Sequence, residues 1–231
     1  MTIALIGERN LENVNHLPTE AAFAGLSVSA EWVATTSIEA DSAILDDYAG
    51  IMLPPAMPYA SEEGALLAIT YAREKNVPML GTCGGFQYTI IELARSLLGV
   101  SHAQHPEIHP DTDHLVVAPL ACSLAGQEHP VRIERESIAG RLYGTDQSVE
   151  PFFCSYGVSR AHRDSLEQVG VRFTGYDREG EPRILELPTH DFFLATLYVP
   201  QARKDPQTHP LLKGFVEATL RAAVRRGRDE L

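Results

Sequence analysis

One cysteine in this sequence stands where a nucleophile is displayed. In "VPMLGTCGGFQYTIIELARSLLG", Val77 to Gly99, an apolar run meets Gly81, then Cys83, then Gly84 and Gly85, and a helical pattern follows. Glycines beside such a strand-to-helix turn permit an unusual backbone and close approach of a substrate. The helix N-terminus lowers the thiol pKa and offers amide donors to a developing oxyanion. A lone cysteine in a tight turn is more often a small buried residue. Within G-T-C-G-G, after an apolar strand, the reactive reading is preferred. Glu8, in "LIGERN", follows the first apolar strand. Neighbouring parallel strands bring their carboxyl ends together, so Glu8 is the carboxylate expected near Cys83. It reads equally as a solvated loop acid.

These residues need a scaffold. "TIALIG", "SAEWVAT", "YAGIMLPP" and "VPMLGT" read as short strands. Between them, "HLPTEAAFAGLSV" reads as a helix capped by Thr19, and "SEEGALLAITYAREKNV" as one capped by Ser61, with Glu62 and Glu63 in its first turn. "GFQYTIIELARSLLG" is a helix closed by Gly99. Strands alternating with helices predict an α/β fold with a mostly parallel sheet, with ligands beyond the strands' carboxyl ends. The second half is richer in strands: "PVRIER", "FFCSYGVS", "VRFTGYDREGEPRILELP" and "FFLATLYVP", with a hairpin turn at Asp177 to Gly180. "HPLLKGFVEATLRAAVRR" is the closing helix. With no repeat or composition break, residues 1–231 read as a single domain.

The formal charge of −12 repels phosphate backbones, so no nucleic-acid partner is expected. The basic run "RAAVRRGRDEL" reads as a solvated helix. No apolar run approaches a membrane span, and "MTIALIGERN" lacks a secretory leader. Three cysteines, Cys83, Cys122 and Cys154, are few and odd in number, which favours a reducing cytoplasm. His102, His105, His109 and His114 occupy a polar loop, but their spacing fits no helix face and includes prolines. A metal site is therefore not favoured, and no cofactor is expected. The expected partner is a small-molecule substrate, with a homodimer left open.

Taken together, these segments resemble the class I glutamine amidotransferases, and among them the glutaminase domain of CTP synthase. The similarity runs almost end to end, through "TIALIG", "AITYAREKNVPMLGTCGGFQ", "HPDTDH", "IAGRLYG", "GVRFTGYDREGEPRILELPTHDFFLAT" and "HPLLKGFVEA". The fold implied is a flavodoxin-like three-layer α/β sandwich. Gly81, Cys83, Gly85 and Gln87 fit the family's elbow, G-x-C-x-G-x-Q. The resemblance places the catalytic His and Glu in a late F-H-P-E segment. The matching stretch here is "LYVPQ", with Val199 and Gln201 at those positions. Valine accepts no proton, and neutral glutamine does not orient an imidazolium as a carboxylate does. The family's P-G-G-F-G oxyanion loop is matched by "PPAMP", in which Pro55 has no N–H but Ala56 and Met57 do. Its substrate-carboxylate arginine is matched by Ser155, between the apolar Phe152 and Phe153 and Tyr156. Losing that clamp argues against free glutamine as substrate.

Three readings follow. In the preferred one, Cys83 is the nucleophile of a hydrolase or hydratase acting on a small amide, nitrile or carbonyl compound. Glu8 is its carboxylate partner, as in the isocyanide hydratase and deglycase branch that this arrangement resembles. Ala56, Met57, Gly84, Gln87, Phe153, Ser155 and Tyr156 would form the oxyanion and substrate site. His105, His109 and His190 are weaker substitutes for the missing base. The second reading is a degenerate binding or regulatory module. The third is a working glutaminase for CTP formation or another amidotransfer. No synthetase domain is read from these residues, so an acceptor for ammonia is not expected in cis.

Overall fold

The three central strands of the parallel half of the main sheet, and the one beyond them, are buried on both faces, as strands covered by helices on both sides must be, while the edge strand is half exposed. In the computed structural model, which describes residues 1–229, these five are β1 (Thr2–Ile6), β2 (Ser29–Val33), β3 (Gly50–Leu53), β4 (Met79–Thr82) and, far along the chain, β11 (Phe193–Thr196). They pair in parallel in the order β2-β1-β3-β4-β11. This is the doubly wound flavodoxin order. β10 (Pro182–Glu186), β9 (Arg172–Tyr176), β6 (Gln127–Ile133) and β7 (Gln147–Phe152) extend the sheet antiparallel beyond β11. β5 (Val117–Pro119) and β8 (Tyr156–Val158) form a separate two-stranded ribbon.

The helices are α1 (His16–Gly25), α2 (Thr35–Ala40), α3 (Glu62–Glu74), α4 (Gly84–Leu98), α5 (Ile138–Tyr143), α6 (Arg163–Gln168) and α7 (Pro210–Asp229). Ser61 caps α3 by accepting from Gly64 N–H at 2.9 Å, and Gly99 closes α4 in the left-handed conformation, both as the sequence implies. Thr19 is not a cap. It lies inside α1, where its hydroxyl donates to the Asn15 carbonyl at 2.7 Å. That local bond satisfies a hydroxyl which could equally have started a helix. "FFCSYGVS" is not one strand. It breaks after Phe152, and Cys154 lies in the gap before β8. α5 and α6 are too short to show a periodicity in sequence. The basic run falls largely on α7, and its last two residues lie outside the described residues. Among the described residues no helix is long and apolar enough to cross a membrane.

Candidate active site

Cys83 joins β4 directly to α4 with φ +54° and ψ −106°. A non-glycine residue in this region costs roughly 1–3 kcal/mol, so neighbouring contacts must impose it. They do so from both sides. Cys83 N–H donates to the Thr196 carbonyl on β11 at 2.9 Å, while its own carbonyl accepts from Phe86 and Gln87. The glycines let the elbow pack this closely. A Cβ on Gly85 would sit 2.2 Å from the Leu53 carbonyl oxygen, and one on Gly84 would meet Met57 Sδ at 2.7 Å. Of the first-turn amides of α4, those of Phe86 and Gln87 are used by the Cys83 carbonyl, whereas those of Gly84 and Gly85 precede the first helical bond.

In front of the elbow is a pocket of about 260 Å³, lined by Met57, Gly84, Gln87, Phe153, Ser155 and Tyr156 among others. Six of the seven residues expected to form the substrate site therefore do surround Cys83. Ala56 does not line this pocket. It packs against Gly7, where an added Cβ would meet its methyl at 2.6 Å. Gln87 is in the wall, but both ends of its amide are engaged. Its Nε2 donates to the Tyr156 carbonyl at 3.0 Å, and its Oε1 accepts from His105 Nε2 at 3.0 Å. It braces the pocket rather than offering a free group to a ligand. Ser155 shares a hydrogen bond with Ser123 at 2.8 Å.

Three other lining residues are Asn15, Glu107 and Cys154. Asn15 is 5% exposed, and its side-chain oxygen is buried without a protein partner. An unpaired buried amide of this kind has capacity for a ligand hydrogen bond. Glu107 brings a carboxylate from the His-rich loop. Cys154 is joined to Cys83 by a disulfide, with Cα atoms 6.0 Å apart. The odd cysteine count had suggested unpaired thiols. Instead, two of the three, 71 residues apart, meet at the pocket, and Cys122 alone remains free. Cys154 sits in the "FFCSYGVS" stretch, beside the Ser155 already singled out, which was the available signal.

Glu8 does not partner Cys83. Its Oε1 accepts from Thr35 N–H at 2.9 Å and the Thr35 hydroxyl at 2.6 Å, and its Oε2 accepts from Ala60 N–H at 3.1 Å. Glu8 therefore ties the end of β1 to the start of α2 and the approach to α3, and it does not line the cysteine pocket. Burial pushes its carboxyl pKa up, but the bonds from Thr35 and Ala60 outweigh burial and hold it below its ordinary 4.5. A depressed folded-state pKa means that this stabilisation is present above the unfolded pKa and is lost as pH falls through the folded one. Glu8→Gln replaces one acceptor oxygen by an NH2 facing a donor. It should cost about 1–3 kcal/mol in urea unfolding at neutral pH. The gap from wild type should narrow as the pH falls below 4.5.

Val199 and Gln201, which stand where the family resemblance sets His and Glu, are fully buried. Val199 N–H donates to the Pro151 carbonyl at 2.9 Å. Gln201 Nε2 donates to Thr82 Oγ1 at 2.9 Å, bracing the residue before Cys83. The histidines weighed as substitutes have other attachments. His105 is buried, donates through Nε2 to Gln87 and accepts at Nδ1 from Glu107 N–H. Burial pushes its pKa down to about 4, so it is neutral near pH 7. His109 Nε2 bonds Glu62 at 2.6 Å, and His190 packs on Phe193. Among the described residues no group of three or more His, Cys, Asp or Glu side chains is placed to hold a metal.

A larger cavity of about 920 Å³ lies away from the elbow, between the β5–β8 ribbon and the β9–β10 turn. Its charged groups are largely paired with one another: Arg160 and Arg163 with Glu181, and Arg183 with Asp177. It holds no nucleophile beside a helix start, so the smaller pocket is the better site for chemistry.

A doubly wound sheet with a cysteine elbow at the end of its fourth strand is the architecture that the resemblance to class I glutamine amidotransferases implies, and the comparisons agree on the family. The chain belongs to the class I glutamine amidotransferase family, whose profile, "Glutamine amidotransferase class-I", matches residues 12–217. Within that family it is similar to CTP synthases. It is 34% identical to CTP synthase of Thermococcus kodakarensis, over 84% of this chain and 39% of that protein. It is 33% identical to CTP synthase of Rhodococcus opacus, over 95% of this chain and 41% of that protein. The chain thus spans about two fifths of these relatives' length. Its fold matches the glutaminase domain of Trypanosoma brucei CTPS, solved with bound acivicin, with a TM-score of 0.85 and 24% identity over 96% of this chain and 94% of that one.

Proposed function

We propose that Cys83 is the nucleophile of a hydrolase or hydratase site for a small amide, nitrile or carbonyl compound other than free glutamine. The observation that carries this reading is the geometry of Cys83 itself, held at φ +54° on the elbow, at the N-terminus of a 15-residue helix, facing an open pocket of about 260 Å³. Its thiolate is stabilised by the helix start and needs no adjacent histidine to form. Attack on an amide carbon gives a thioester as the C–N bond breaks and the amine leaves with a proton from water, and attack on a nitrile carbon gives a thioimidate whose nitrogen takes a proton from water, with the developing charge received by amides at the start of α4. Met57 and Phe153 offer apolar surface to the substrate. Asn15 supplies an unpaired side-chain amide oxygen that suits a substrate N–H.

With Glu8 committed elsewhere, Glu107 is the carboxylate that lines the pocket, and it is assigned to activate water in the second half-reaction. We assign the chain to the cytoplasm, where Cys83 would be kept reduced. The similarity to CTP synthases favours one further reading, glutamine hydrolysis for amidotransfer. Incubating the reduced chain with glutamine, a small nitrile and a small amide, and following intact mass and ammonia release, separates the two. An adduct on Cys83 from the nitrile or amide, with glutamine left nearly untouched, is expected. Glutamine turnover at about 1 per second or faster would overturn the proposal. Glu107→Gln should leave adduct formation intact and slow its breakdown by roughly 10²–10⁴-fold.

A further inference from the structure

We infer that the pocket is an oxidative modification site, in which Cys83 is oxidised by a hydroperoxide and Cys154 then resolves it to a disulfide that takes the nucleophile out of use. The inference rests on the reading of Cys83 as a thiolate, and adds a chemistry which that reading does not need.

Three observations carry it. First, the two sulfurs are within bonding reach across the pocket, although 71 residues separate them in the chain. Second, the pair is asymmetric. Both sulfurs are buried, but Cys83 alone lies at a helix start, which favours the thiolate. Cys154 is 3% exposed, its Sγ lies 3.5 Å from the Leu197 carbonyl oxygen, and it sits in the irregular break between β7 and β8. A carbonyl oxygen beside a buried sulfur favours the protonated thiol. The first oxidation therefore belongs to Cys83 and the resolving attack to Cys154. Third, Val199 and Gln201 are fully buried and neither carries a titratable group, so they bring no base to the pair.

The chemistry balances with a hydroperoxide as oxidant. The Cys83 thiolate attacks one peroxide oxygen, and the O–O bond breaks. Hydroxide or alkoxide leaves and takes a proton from water, and Cys83 becomes a sulfenic acid. The Cys154 sulfur then attacks the Cys83 sulfur. The S–O bond breaks, and the hydroxyl departs with the Cys154 proton as water. A dithiol reductant reopens the pair by exchange. In the disulfide form the sulfur of Cys83 is consumed as a nucleophile, while the pocket of about 260 Å³ beside it persists.

The test uses the full chain carrying Cys122→Ser, since Cys122 is exposed and lies outside this pocket. The protein is fully reduced, freed of reductant and treated with hydrogen peroxide. Free thiols are then alkylated, and products are read by intact mass and peptide mapping, with dimedone as a sulfenic-acid trap. The expected result is loss of both alkylation sites with a Cys83–Cys154 crosslink that a dithiol reverses. Adding Cys154→Ser should replace the crosslink by a dimedone adduct on Cys83, and adding Cys83→Ser should leave Cys154 unlabelled. The inference is overturned if both thiols stay alkylatable under peroxide that oxidises free cysteine. It is also overturned if dimedone marks Cys154 in the Cys83→Ser chain. The readout needs no turnover. A chain that crosslinks but forms no adduct with any electrophile would sink only the hydrolase proposal, and one that forms adducts but never crosslinks would sink only this inference.

Discussion

Cys83→Ala should abolish covalent adducts with every electrophile tested and lower any turnover by about 10³-fold or more, while the chain stays folded. The loss of function follows because the sulfur is the one nucleophile at the start of α4. The retention of fold follows from how the elbow is held. Its backbone bonds to Thr196, Phe86 and Gln87 use main-chain atoms that the substitution leaves in place. Alanine carries the same φ penalty as cysteine, so removing the sulfur does not relieve it. Cys83→Gly would relieve it, and under reducing conditions should raise stability by about 1 kcal/mol with the same loss of chemistry. Adduct formation by intact mass, paired with urea unfolding of both variants in reductant, checks the two halves separately. A Cys83→Ala chain that still acquires the adduct would place the nucleophile elsewhere.

Gly85→Ala should be the most damaging single methyl in the molecule's active region, costing about 3 kcal/mol or more. The added Cβ would lie 2.2 Å from the Leu53 carbonyl oxygen and 2.8 Å from the Leu53 Cβ. The carbonyl belongs to β3, a central strand pinned between β1 and β4, so it has nowhere to retreat. Relief requires α4 to move away from the sheet, and α4 carries the elbow with it. Gly99→Ala is the control. Nothing lies within 4 Å of its would-be Cβ, and only its φ of +71° is disfavoured. That change should cost about 1 kcal/mol. Thermal or urea melts of the two variants should therefore differ severalfold in effect, and equal effects would mean that α4 is not seated on β3 as described.

The parallel half of the sheet was legible because its strands are short apolar runs punctuated by glycine, proline and helical periods. Ser61 and Gly99 were legible as caps because each does its work through local backbone bonds. Thr19 misled because a threonine hydroxyl can bond a carbonyl four residues back within a helix as readily as it caps one. At the site, the elbow was legible from its glycines and its place between strand and helix, and most of its walls from the resemblance to the amidotransferase family. Glu8 could not. Strand order brings the end of β1 near the end of β4, but the carboxylate turns to the amides of Thr35 and Ala60, which only folding gathers. Cys154 and Asn15 were missed for a related reason. Their meeting with Cys83 is set by a break after β7 and by the loop before α1, and neither leaves a periodic mark in the sequence.

The account's central claim is that Cys83 is an activated thiolate whose activation comes from the elbow and not from Glu8. The most direct test is the rate of iodoacetamide alkylation of Cys83 across pH in the fully reduced Cys122→Ser chain, with and without Glu8→Gln, read by peptide mass. The expected profile has its midpoint well below the roughly 8.5 of an ordinary thiol and is the same in both chains. A profile matching free cysteine would contradict the claim, and a midpoint that moves with Glu8→Gln would return the role to the carboxylate.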